Sequence, residues 1–297
     1  MRVNPNMVPD VLAALEQVQQ AQAVAVQQIS SGRRVNQPSD DPVAAAALVQ
    51  NYHRADANDR YTQNGNTVLG MMQSAESVLS AVVSEVSQAV SIGVEGANGT
   101  LSDANRATLA QQVSGTLESV VSQANSAYRG IYLFAGTAST AVPFSPSGTS
   151  PSGYQYNGNS NVNSLAIGDG YVIPTNLPGD QLFQQPGSDL LGSLQGLVAA
   201  LRGGDSSTIG TATNQLRAAL DYVTQQRAFY GNVANQINKQ EAFLQNESVN
   251  IKSEEDSLVG VDPAAAATNL SQAQIATQST LAAAARVLPQ SLLDYLK

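Results

Sequence analysis

The side chains able to do chemistry are few and stand apart. His53 is the only histidine, so any Ser–His–Asp relay would have to use it. It lies in NYHRADAND, residues 51–59, a polar stretch with no nucleophile elbow beside it. A catalytic imidazole needs positioned partners, so the expectation is a solvated surface histidine. Asp40 and Asp41 supply the oxygen atoms that a cation would take. Placed directly before Pro42, they are explained as well by a helix cap with proline in the first turn. Glu254, Glu255 and Asp256, with Glu247 upstream, form the densest acidic patch and read as a solvated helix face. Arg33-Arg34 is the only adjacent basic pair, and it could meet acidic residues of a neighbouring subunit. Tyr128, Tyr132 and Phe134 are either a recognition surface or an aromatic packing point; scarce aromatics are best used in a core.

Other chemistries lack their residues. The chain has no cysteine, which excludes disulfides and thiolate sites. No GxxxxGK[ST] or GxGxxG stands between a strand and a helix. The expectation is therefore no enzyme, no cofactor and no metal. Net charge is −9 and no dense Lys/Arg cluster appears, so nucleic acid is not an expected partner. No run of about 18 apolar residues suggests a membrane partner. The opening MRVNPNMVPD lacks the basic and apolar regions of a cleaved signal peptide, so export would need another route. Charged residues are 12% of the chain, about half the ordinary globular share. Ser, Gln, Asn and Thr replace them, a surface on which copies can pack with little repulsion.

The elements that would carry these residues are dominated by heptads. Ile209, Leu216, Val223, Tyr230, Ile237, Leu244, Ile251 and Leu258 recur at an unbroken spacing of seven. That period keeps an apolar seam aligned only in a left-handed supercoil. At 1.5 Å per residue the helix would be about 75 Å long. Val68, Met72, Ala75, Leu79, Val82, Val86, Ala89 and Gly93 form a second seam, ending at the glycines 96 and 99. Near the N-terminus Val11, Leu15, Val18, Gln22, Ala25 and Ile29 form a third, stopping at Gly32. A short helix is expected from Val43 to about Asn58. Ser102-Asp103 should cap another, carrying Leu109, Val113, Thr116, Val120, Ala124 and Ala127.

Residues 129–187 change character, with β-formers among Gly, Pro, Ser and Asn. Strands are expected at 154–156, 162–167, 171–173 and 182–183. Helix returns at 190–201, breaks at Gly203-Gly204, and a last helix starts at Asp262-Pro263. Its weaker seam is Leu270, Thr277, Leu281, Ala284 and Leu288, with Pro289 bending or ending it. The fold class expected is mainly α: a long antiparallel helical coiled-coil rod with a small inserted β-rich domain. Residues 1–35 would pair with 264–297, residues 36–137 and 188–263 would form the rod, and 138–187 the β-rich outer domain. The rod core would be Met72, Leu79, Val86, Leu216, Val223, Tyr230, Ile237 and Leu244. Each terminal helix has one narrow seam and buries too little to stand alone. Val11, Leu15, Val18, Ile29, Leu270, Leu281, Ala284 and Leu288 are therefore expected to be covered by sister copies.

Four blocks resemble a known family. ISSGRRVNQPSDDPVAAA (29–46), NGTLSDANRATLAQQV (98–113), YRGIYLFAGT (128–137) and LSQAQIATQSTLAAAARVLPQSLLDYLK (270–297) resemble, in order, signatures of the bacterial flagellins and their relatives. MRVNPNM, IYLFAG and SLLDYLK look more like the hook–filament junction branch than flagellin proper. The resemblance implies a structural subunit outside the cell, exported without a cleaved signal. It would assemble with itself as a ring, between a hook-end protein and flagellin, after guarding by a cytoplasmic export chaperone. Flagellin itself is the near alternative; a helical adhesin or type III tip protein would leave the four blocks unexplained.

Overall fold

The computed structural model describes the backbone of residues 7–295 and the side chains of residues 9–285. It is mostly helical. The elements are α1 (Met7–Ser31), α2 (Pro42–Gly96), α3 (Asp103–Ala124), β1 (Ala127–Tyr128), β2 (Ile131–Tyr132), β3 (Phe144–Pro146) and β4 (Tyr154–Tyr156). They continue with β5 (Ser164–Gly168), β6 (Tyr171–Pro174), α4 (Gly179–Phe183), α5 (Leu190–Gly203), α6 (Ser206–Val259) and α7 (Pro263–Tyr295). The chain divides into two compact units, Met1–Ala57 with Asn246–Lys297, and Asn58–Gln245. These limits fall inside α2 and α6, not at residues 35 and 263.

The larger unit has a continuous apolar core. Met72, Leu79 and Val86 of α2 are buried in it with Leu216, Val223, Tyr230 and Ile237 of α6, and Leu244 is buried as well. Its α6 seam follows the seven-residue spacing because each repeat returns an apolar side chain to the same helix face. Gly93 lets neighbouring helices close on α2. A Cβ at Gly93 would strike the Thr213 hydroxyl and lie 3.2 Å from both Leu197 methyls. Thr213 Oγ1 already donates to the Ile209 carbonyl at 2.7 Å and has little room to yield. Gly93→Val should therefore cost about 1–3 kcal/mol by overpacking, read as a lower urea midpoint at unchanged slope.

Arg106 closes one end of this unit and was not singled out from the sequence. It is 7% exposed. Its Nε donates to Gly96 O at 3.3 Å, Nη1 to Gly204 O at 2.8 Å, and Nη2 to Asn98 O at 3.2 Å. Gly96 ends α2 and Gly204 caps α5, so one cation meets the negative ends of two helices. Ser102 accepts from Asn105 N at 3.2 Å to start α3, as its position before Asp103 suggested.

Two differences from the sequence-based expectation have physical causes. The helix expected to end near Asn58 does not: α2 is unbroken to Gly96. Its polar stretch finds partners, with Asn51 buried, Arg54 paired to Glu254 at 2.9 Å, and Asn64 Nδ2 donating to Ala166 O at 3.0 Å. Leu182 and Phe183, expected as strand, lie in α4. Periodicity cannot separate helix from strand in so short an apolar run. Of the two outcomes expected at Pro289, a bend or an end, the helix does not end there: α7 runs to Tyr295.

The inserted strands make three separate two-stranded antiparallel sheets, β1–β2, β3–β4 and β5–β6. Phe144, Ile167, Ile173, Leu182 and Phe183 belong to the same apolar cluster as the helices, so residues 138–187 have no core of their own. Phe134 and Phe144 each meet Phe183 edge-on, at 5.3 and 5.8 Å between ring centres. Tyr156 donates to Phe134 O at 2.9 Å, and burial pushes its hydroxyl pKa up to about 12, which keeps that proton in place. One 18-residue window of α2 has mean hydropathy 1.4, enough by length and composition to cross a membrane, although no unbroken apolar run marked it in the sequence.

Candidate assembly surface

In the smaller unit α1 and α7 pack side by side. They are antiparallel: Gly32, just past α1, accepts from Val261 N just before α7 at 3.1 Å, and farther along Thr277 Oγ1 donates to Gln22 Oε1 at 3.1 Å. Val11, Leu15 and Val18 are half-buried and Ala25 is buried. Facing them, α7 uses Ala266, Leu270, Ala273, Thr277 and Ala284, of which the three alanines are buried. Alanine seams bring two backbones close but remove little apolar area from water.

The placement of the named residues is mixed. Ala284 is buried and Leu270 is half-buried, whereas Ile29 and Leu281 lie off the shared seam at 42% and 49% exposure. The Leu288 side chain lies outside the described residues. Ala266 and Ala273 were missed because alanine barely registers on a hydropathy reading. Leu12, Val24, Val26, Ile29, Ile275 and Leu281 remain largely exposed. Leu12 and Val26 stand two heptads apart, at the same position beside the buried seam. Covering what remains exposed of these six side chains would contribute on the order of 5 kcal/mol before ordering costs.

The groups weighed for chemistry have structural employment. Asp41 Oδ1 accepts from Ala44 N at 3.0 Å and Oδ2 pairs with Arg34 at 3.1 Å. Asp40 Oδ2 accepts from the Asn36 and Gln37 amides, both at 2.9 Å. His53 is exposed on α2. The acidic patch is more than a solvated face: Glu255 pairs with Arg33, and Glu247 and Glu254 with Arg54. Arg33 and Arg34 thus meet carboxylates of their own chain in this structure. The Arg33–Glu255 pair needs residues 222 positions apart to converge, which no local pattern announces.

The turn carries a pH signature. The Ala44 amide, then Arg34, holds the Asp41 carboxyl below its ordinary 3.8, and the Gln37 and Asn36 amides do the same for Asp40. Both bind protons more weakly folded than unfolded. Their stabilisation is present above the ordinary carboxylate value and lost as pH falls through the depressed folded values. An NMR titration should show the Ala44 amide shift moving with a midpoint below pH 3.8. A midpoint at or above that value would refute the cap.

Long heptad helices, an antiparallel terminal pair and inserted β-hairpins define a mainly helical protein of flagellin-like fold. The model of the bacterial flagellin N-terminal helical region matches residues 3–139, and that of the C-terminal helical region matches 207–296. The chain belongs to the bacterial flagellin family. It is 38% identical over 120 residues to flagellar hook-associated protein 3 of Escherichia coli (strain K12), covering 40% of this chain and 38% of that protein. The match thus spans well under half the relative's length. It is 21% identical over 283 residues to flagellin of Listeria innocua, covering 95% of this chain and 93% of that one. The fold is shared with a putative flagellar hook-associated protein of Vibrio parahaemolyticus (TM-score 0.68, 20% identity, 74% of this chain and 100% of that one). It is also shared with the flagellar junction protein of Legionella pneumophila (TM-score 0.61, 15% identity, 72% and 100%).

Proposed function

We propose that this chain is a structural subunit of the bacterial flagellum that joins hook to filament and offers flagellin a surface on which to assemble. The carrying observation is the terminal pair α1 and α7, which leaves Leu12, Val26, Ile275 and Leu281 to water in the single chain. Apolar side chains left exposed in this way favour coverage by sister copies. Junction is preferred to filament because the stretch similar to hook-associated protein 3 is 38% identical, against 21% for the flagellin match. In this reading residues 1–35 and 264–297 line the inner tube, and the remaining helices form the stiff layer outside it. The partners are further copies, a hook-end protein, flagellin, and a cytoplasmic chaperone on the C-terminal helix before export without a cleaved signal. The work is mechanical, with no reaction catalysed.

Deleting the gene and imaging the cells tests this. Hooks without filaments, flagellin in the medium, and a tagged copy at the hook tip support the junction. A tag along the whole filament would make the chain flagellin instead, and a tag away from the flagellum would refute both.

A further inference from the structure

Three asparagines stand directly before a glycine: Asn64, Asn98 and Asn157. Asn64 lies inside α2, where the helix ladder holds the Gly65 nitrogen and Asn64 Nδ2 donates to Ala166 O at 3.0 Å. Asn157 Nδ2 donates to Ser145 Oγ at 2.9 Å and to Val142 O at 3.3 Å. Asn98 is held differently. It is exposed in the turn between α2 and α3, and its Oδ1 accepts from Thr100 N at 3.1 Å and Thr100 Oγ1 at 2.9 Å. Such an Asx-type turn folds the side-chain carbonyl over the peptide that follows. The main-chain oxygen of Asn98 accepts from Leu101 N and Arg106 Nη2, both at 3.2 Å. Gly99 is exposed, has open space where a side chain would stand, and its N–H takes no partner among the described residues.

We propose that Asn98–Gly99 is a self-modifying site, at which the folded chain turns the Asn98 amide into a carboxylate through a cyclic imide. The reaction needs a nucleophilic Gly99 nitrogen and an electrophilic Asn98 Cγ, and the turn prepares both. Removing the Gly99 proton spreads negative charge onto the Asn98 oxygen of the same peptide, where the Arg106 guanidinium stabilises it. Arg106 is 7% exposed, so water screens that charge little. Attack on Cγ places negative charge on Oδ1, where the two Thr100 donors already point. Glycine leaves the path to Cγ clear. Water takes the Gly99 proton, the bond from Gly99 N to Cγ forms, and the Cγ–Nδ2 bond breaks. The nitrogen leaves as ammonia, carrying a proton returned from water. A second water opens the imide. At Cγ it gives aspartate; at the main-chain carbon it gives isoaspartate, and the oxygen that Arg106 holds becomes part of a carboxylate. The site lies wholly within the larger unit and does not depend on the junction reading.

Peptide mass spectrometry of the full chain tests it, after incubation in warm, mildly alkaline buffer and in parallel in denaturing urea. In the folded chain Asn98 should convert to the acid about tenfold or more faster than Asn64 and Asn157, an effect within reach of placed oxyanion donors. Unfolding should slow Asn98 and bring the three rates together. Thr100→Val removes the hydroxyl donor and should slow Asn98 about fivefold, and Thr100→Ser should restore the rate. Circular dichroism should report both variants folded; if either is not, the folded and unfolded rates of the wild type decide alone. A folded Asn98 rate at or below the unfolded one, or a folded Thr100→Val chain as fast as wild type, would overturn the proposal.

Discussion

A Leu281→Asp chain is expected to fold as the wild type does and to fail in assembly. Leu281 is 49% exposed and lies outside the seam that joins α7 to α1, so the single chain has little to lose there. Surface substitutions away from specific contacts usually change stability by less than about 0.5 kcal/mol. Under the proposed coverage by sister copies the same position becomes an apolar contact. A carboxylate moved there without a partner costs several kcal/mol, and each 1.4 kcal/mol is about tenfold in affinity. The expected loss in copy-to-copy affinity is therefore at least about a hundredfold. Circular dichroism should report unchanged helix, while electron microscopy should show hooks bearing no filament. Normal swimming by this variant would remove Leu281 from the assembly surface.

The second large effect concerns stability. Arg106→Leu should lower unfolding free energy by about 2–4 kcal/mol, because the Gly96, Asn98 and Gly204 carbonyls all lose their donor. Leucine roughly fills the space but cannot donate, so three backbone acceptors face an apolar side chain. Arg106→Lys should recover only part, since one ammonium cannot present the fork that meets three carbonyls in different directions. Denaturant unfolding of both variants checks the order: wild type, then lysine, then leucine. Equal midpoints for leucine and wild type would mean that these carbonyls find other donors.

Much of the core was legible in the sequence. Every residue of the seam at 68–93 is buried, and so is the seam from Ile209 to Ile251, because a seven-residue spacing fixes the inward face whatever the partner is; only Leu258 is half-buried, beside the buried Val259. Helix ends at Gly32, Ser102 and Asp262 were legible too, since caps are local chemistry: Asp262 Oδ1 accepts from Ala264 N at 2.9 Å. The candidate assembly surface was only half legible. On α7 the reading placed Leu270, Thr277 and Ala284 on the face that meets α1, but it passed over the buried Ala266 and Ala273 and included Leu281, which lies off that face.

By itself the sequence determined that α6 is long, where most helices begin, and which side of each heptad seam avoids water. These follow from hydrogen bonds and periodicities spanning a few residues, all present in the local order of side chains. Only the tertiary structure decided that α2 continues through its polar stretch and that the β-hairpins share the helical core. It also decided that Arg33, Arg54 and Arg106 meet carboxylates and carbonyls far away in the chain. Such outcomes depend on groups that become neighbours only after the chain has closed, and a burial or pairing energy between distant residues leaves no mark on either one alone.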